Sequence, residues 1–91
     1  MVITTMEEKM ARYVSSRNPV SPSSLKRKPV GSVIRHHNEW EDTKFTRCAG
    51  GWLAEREDFV GISPAVIVTS ADVANECNSA IGCRQSWARI Y

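Results

Sequence analysis

Apolar and polar residues alternate most densely between Pro29 and Glu57, PVGSVIRHHNEWEDTKFTRCAGGWLAERE, and that alternation predicts antiparallel strands. Pro29 fixes φ and disfavours helix at Lys28, so the basic run before it cannot continue as helix. Val30, Val33 and Ile34 then favour a strand, because branched side chains fit a pleated surface. His37-Asn38-Glu39 is polar and suits a turn, with Asn38 able to take left-handed φ. Trp40, Thr43, Phe45, Thr46 and Cys48 resume an extended pattern. Trp40 and Phe45 have opposite strand parity, so either a bulge near Glu41-Asp42 separates them or one of them faces out.

Gly50-Gly51 stands between two apolar runs and suits the positive φ values of a primed hairpin turn. With those two residues as the turn, Ala49 opposes Trp52, Cys48 opposes Leu53 and Phe45 opposes Arg56. Phe45, Arg47 and Ala49 then share a face with Trp52, Ala54 and Arg56. Phe45 and Trp52 form an apolar strip edged by arginine, and such a strip reads first as core.

Outside this stretch, Thr5-Met6-Glu7-Glu8 has the form of a capping box, and Met6, Met10, Tyr13 and Val14 recur on one helical face. A helix is expected there, fading at Ser15-Ser16 and stopped by Asn18-Pro19. Asn18 to Lys28 has the Pro/Ser-rich composition of a linker, in which Ser21-Pro22 can open one turn of helix ending at Leu25. After the hairpin, Glu55 to Asp58 is charged and expected to be exposed. Phe59 to Pro64 reads as an apolar, turn-prone connection, and Ala65 to Val68 as a short buried strand. Thr69 or Ser70 caps a second helix, with Asp72 in its first turn, Val73, Cys77, Ala80 and Ile81 on its inner face, and Gly82 placed to end it. Arg84 to Tyr91 alternates as a closing strand, with Trp87, Arg89 and Tyr91 on one side and Ala88 and Ile90 on the other.

The expected fold is therefore α+β: a small antiparallel sheet of about three to five strands, an N-terminal helix and a second helix before the last strand. Residues 1–91 form one domain, divided into a helix over 1–17, a basic linker over 18–28 and a β-rich core with one helix over 29–91.

The run Pro29-Val30-Gly31-Ser32-Val33-Ile34, then Trp40, Gly50-Gly51-Trp52-Leu53, Thr69-Ser70-Ala71-Asp72-Val73 and Trp87-Ala88-Arg89-Ile90, resembles small accessory proteins encoded by phages of actinobacteria. Those read "PVGSVV", a Trp-containing strand, a "GDGW" turn and a short "TS-x-E-L" helix. The resemblance covers about two thirds of the chain by order of motifs. Ala49-Gly50-Gly51 departs from Gly-Asp-Gly, and the basic N-terminal third has no counterpart. The resemblance implies a phage or prophage accessory protein and supplies no catalytic residue.

Composition narrows the picture. The chain is 42% hydrophobic and 8% aromatic, ordinary values for a globular domain of 91 residues. It lacks an apolar run approaching the roughly 20 residues that span a bilayer. Glu7 and Glu8 stand where a signal peptide would be apolar, so a cytoplasmic location (host cytoplasm, if phage-encoded) and no membrane contact are expected. Three cysteines without metal spacing fit a reducing compartment. The net charge of +2 is unevenly spread: residues 1–37 carry seven Lys/Arg against two Asp/Glu, and residues 38–91 carry five against eight.

Candidate chemistry is sparse. His36 and His37 are adjacent, so on a strand they point to opposite faces and cannot chelate one ion together. A zinc site built from Cys48, Cys77, Cys83 and a histidine is conceivable, but Cys77 reads as core. The clusters Glu39-Glu41-Asp42 and Glu55-Glu57-Asp58 read as hydrated acidic turns. With no P-loop, GxGxxG, HExxH or nucleophile elbow, neither an enzyme nor a cofactor nor a metal is expected. The first functional reading is a protein-binding module contacting an unidentified protein through Trp40, Arg47 and Trp52, with the acidic turns as rim. The second is nucleic-acid binding through Arg12, Arg17, Lys26, Arg27, Lys28 and Arg35. A third is a structural virion component, homodimeric in form.

Overall fold

The computed structural model describes residues 12–91. Six strands form one antiparallel sheet: β1 (Arg12–Tyr13), β2 (Val33–His37), β3 (Glu41–Cys48), β4 (Gly51–Asp58), β5 (Val66–Val68) and β6 (Trp87–Ile90). Their spatial order is β1-β6-β2-β3-β4-β5. Two short helices, α1 (Pro22–Lys26) and α2 (Ser70–Asn78), complete the small domain. The expectation of three to five strands with an N-terminal and a second helix is thus corrected to a sheet-dominated domain. Arg12 and Tyr13 pair with Ile90 and Arg89, so the chain is strand where helix was expected to run to residue 17. The cause is tertiary: β6 offers an unpaired row of backbone groups, and satisfying it outweighs a weak helical preference. Tyr13 and Val14, expected on one helical face, consequently point apart, with Tyr13 exposed and Val14 buried. The capping box at Thr5–Glu8 and the Met6 and Met10 positions lie outside the described residues.

The segment expected to be a linker instead packs. Ser21 caps α1, accepting from the Ser24 backbone N–H at 3.2 Å, and Pro22 occupies the first turn. Leu25 is fully buried. Just before it, the Asn78 side-chain amide clamps Val20: Val20 N–H donates to Asn78 Oδ1 at 2.9 Å, and Asn78 Nδ2 donates to the Val20 carbonyl at 2.8 Å. The end of α2 thereby holds α1 over the sheet.

The β3–β4 hairpin has a slipped register. Cys48 opposes Gly51, Arg47 opposes Trp52 and Phe45 opposes Ala54, so Ala49-Gly50 is the turn. Gly50 takes φ +90° while Ala49 keeps negative φ, which is not the primed pattern expected. Gly51 is needed for another reason: a Cβ there would lie 2.6 Å from the Val68 carbonyl oxygen of β5. A slip of two residues leaves every side chain on its expected face. The inner face therefore holds Ile34, Phe45, Trp52, Ala54, Ala88 and Ile90, and against it pack Leu25 of α1 and Val73, Ala74 and Cys77 of α2. Helix α2 opens with a full capping box between Thr69 and Asp72, and the hydrogen bond from the Thr69 backbone holds the Asp72 carboxyl below its usual range. It stops at Asn78, short of Gly82. Strand β5, expected to be buried, is a sheet edge with Val66 and Ile67 exposed.

Candidate interaction surfaces

Of the three residues expected to meet a protein partner, Trp52 belongs to the core. It is fully buried, and its indole N–H donates to Ser70 Oγ at 3.1 Å. Arg47 lies over the Trp52 ring at 5.8 Å and donates to the Gly51 carbonyl at 2.7 Å and the Lys26 carbonyl at 3.3 Å. It ties the hairpin to α1 and is half-buried. Trp40 alone is open. It precedes β3 rather than joining it, and the continuous β3–β4 register leaves no bulge there. Of the two ways to reconcile its parity with Phe45, the outward-facing one is observed.

Local chemistry explains how Trp40 is presented. Asn38 Oδ1 accepts from the backbone N–H groups of Trp40 (2.8 Å) and Glu41 (2.9 Å), closing a side-chain-capped turn with no left-handed residue. The other end of the same strand pair repeats the device: Asp58 Oδ1 accepts from Val60 N (2.8 Å) and Gly61 N (3.1 Å). Because Glu41 opposes Asp58, both turns sit at one end of the β3–β4 ribbon. Each projects an aromatic ring. Trp40 is 68% exposed, Phe59 87%, Val60 96% and Ile62 78%. Trp40 and Phe59 share a cleft of about 210 Å³ also lined by Glu39, Glu41, Asp42, Glu57 and Asp58. From Phe59 to Ile67 the chain carries no charge, and every residue is exposed up to the edge strand β5. Phe59 to Pro64 was expected to be a turn-prone connection and Ala65 to Val68 a short buried strand. The legible signal of the exposed run was nine uncharged residues directly after Asp58.

The basic residues do not converge. Leu25 anchors α1 on the inner face, so Lys26, Arg27 and Lys28 lie on that side of the sheet. Arg35 alternates with the buried Ile34 and His36 and points out of the opposite face. Arg12 lies on the edge strand β1, and Arg17 in the turn closed by Ser15 and Asn18.

A half-buried polar cluster lies beneath α2. Arg56, expected to be exposed, donates to Thr43 Oγ1 at 3.0 Å and forms ion pairs with Glu76 at 2.8 Å and Glu41 at 3.3 Å. Beside it His36 is buried with neither ring nitrogen partnered, and Glu76 Oε2 is likewise unpartnered. Burial lowers the His36 pKa below the ordinary 6.5, against the pull of Glu76. His37 points the other way and pairs with Asp42. Burial pushes the Cys77 thiol up to about 12, whereas Cys83 is exposed and Cys48 half-buried, all three as free thiols. Among the described residues no group of three or more His, Cys, Asp or Glu is arranged to hold a metal ion. No helix among them is long and apolar enough to cross a membrane.

No family model, no curated protein and no solved structure matches this chain.

Proposed function

We propose that this protein is a protein-binding module, without catalysis of its own, of the phage accessory kind that its motifs resemble. Its occupant is an apolar segment of another protein flanked by lysine or arginine. The segment seats on Trp40, Phe59, Val60 and Ile62 and meets the rim of Glu39, Asp42, Glu57 and Asp58. One observation carries the reading: these four large apolar side chains are each more than two-thirds exposed at one end of the sheet, beside turns that side-chain hydrogen bonds hold in place. Burying each is worth on the order of 1.5–3 kcal/mol, and exposed aromatic anchors ringed by charge are the usual centre of an interface. Strand β5 adjoins them and is the sheet edge among the described residues, with backbone groups to offer an extended chain.

The test is affinity capture from host lysate with three baits: the parent, Phe59→Asp, and Trp40→Ala, the variants first shown to be folded by circular dichroism. Enrichment by the parent of a protein that both variants lose, and that elutes with rising salt, is expected. Absence of any capture sensitive to these substitutions overturns the proposal. So does a dimeric solution mass that Phe59→Asp converts to monomer, because the occupant is then a second copy of the chain.

A further inference from the structure

The outer face of the sheet has a separate composition, of which the protein-binding reading uses only Asp42 and Glu57 at one end. Cross-strand registers place Tyr13, Arg89, Arg35, Lys44 and Glu55 in one row, running from β1 through β6, β2 and β3 to β4. Three cations are thus immediate neighbours on one face, an arrangement that costs stability through like-charge repulsion. The adjoining row is Trp87, His37, Asp42 and Glu57. Among the described residues, the ion pairs are His37–Asp42, Arg56–Glu41 and Arg56–Glu76, and none reaches Arg35, Lys44 or Arg89.

Aromatic rings flank Arg89 at the β1–β6 end of this row. The Arg89 guanidinium lies 5.3 Å from the Tyr13 ring centre and 5.0 Å from that of Tyr91. Its Nε is buried without a hydrogen-bond partner. Trp87 stacks on His37 at 5.5 Å, and Tyr13 meets Trp87 edge-on at 6.1 Å. Tyr13 remains 55% exposed and Trp87 38%. Neither helix covers this face, since both pack on the inner one. Asp42 of β3 and Glu55 and Glu57 of β4 bound the patch on the β4 side, Glu55 directly opposite Lys44.

We infer that this face binds single-stranded nucleic acid, with unstacked bases on Tyr13 and Trp87 and phosphates on Arg35, Lys44 and Arg89. Charge complementarity names a polyanion. Flat π surfaces beside cations select one with exposed bases, since stacking on such rings is sequence-tolerant and requires bases free of a duplex. The site differs from the Lys26-Arg27-Lys28 run, which lies on the other side of the sheet, and it meets the protein-binding surface only at Asp42 and Glu57.

The test is fluorescence anisotropy of a short fluorescein-labelled oligothymidylate, titrated with the full chain at low and moderate salt. Binding is expected, and the doubly substituted Arg35→Ala/Lys44→Ala protein, both positions being outward-facing, should lose roughly tenfold or more in affinity. Its log–log salt dependence should flatten by roughly 0.7 per cation removed. Tyr13→Ser, also at an exposed position, should weaken binding without changing that slope. A flat titration with the parent overturns the inference, as does undiminished binding by the double variant. Binding lost on Lys26→Ala/Arg27→Ala/Lys28→Ala instead, or a duplex bound as tightly as the single strand, also overturns it.

Discussion

The inner and outer faces of the sheet differ in how their arginines and aromatic rings are satisfied. On the inner face Arg56 meets two carboxylates and a hydroxyl, Arg47 meets backbone carbonyls, and the Trp52 indole meets Ser70. On the outer face, among the described residues, Arg35 and Lys44 form no ion pair although Glu55 opposes Lys44, and Tyr13 and Trp87 are held by other rings while open to solvent. Residue types therefore say little by themselves. A tryptophan or arginine becomes structural where α1 and α2 lie over it, and becomes available for binding where they do not.

The comparison can be broken most forcefully at the tryptophans. Trp52→Ala removes a fully buried ring and its hydrogen bond and should cost about 3–5 kcal/mol, much of the stability of a domain this small. Trp40→Ala should stay within about 0.5 kcal/mol of the parent. Urea denaturation of both variants makes the check, and similar losses would contradict the placement of either ring. Gly51→Ala should cost about 1–3 kcal/mol, because the added methyl meets the Val68 carbonyl and pushes β5 off the hairpin. Loss of β5 protection in hydrogen exchange would accompany it.

His36 sharpens the comparison through pH. Its folded pKa is depressed, so the unfolded chain takes up the proton more readily. The stability that neutral His36 permits is complete above 6.5 and is lost as pH falls through the folded value. The urea midpoint should therefore drop between neutral pH and the onset of carboxylate titration, and His36→Gln should flatten that drop. The thiols give a kinetic contrast. Cys83 should react with iodoacetamide at mildly alkaline pH in the folded protein, while Cys77 should react only on unfolding. The smallest effect belongs to Arg35→Ala, which should stabilise the fold by a few tenths of a kcal/mol by relieving the row it shares with Arg89 and Lys44. Such a gain marks a surface kept for something other than stability.

Much of the sheet was legible because strand parity is robust. The side-chain faces of Phe45, Arg47, Trp52 and Ala54 held although the hairpin register moved by two residues, and the division of Trp87 and Arg89 from Ala88 and Ile90 held as well. What failed depended on partners distant in sequence. Tyr13 and Val14 obey a helical spacing, yet pairing with β6 made that segment strand. Val66 to Val68 look buried by composition, but their burial turned on whether another strand lay beyond them, and none does among the described residues. Lys26 to Lys28 and Arg35 are close in sequence and separated by a whole sheet in space. Trp40 was singled out in the sequence and is exposed, whereas its neighbour Phe59 became visible only once Glu41 and Asp58 were seen to oppose each other.

Docking at the Trp40–Phe59 end is tested most directly by the hydrogen-exchange footprint of the complex formed with a captured protein. Amides of 38–41 and 58–68 should gain protection together, while those of α1 and of β6 keep the rates of the free chain. A footprint confined to the outer face of β2 and β6, or to the α1–α2 layer, would contradict docking at that end.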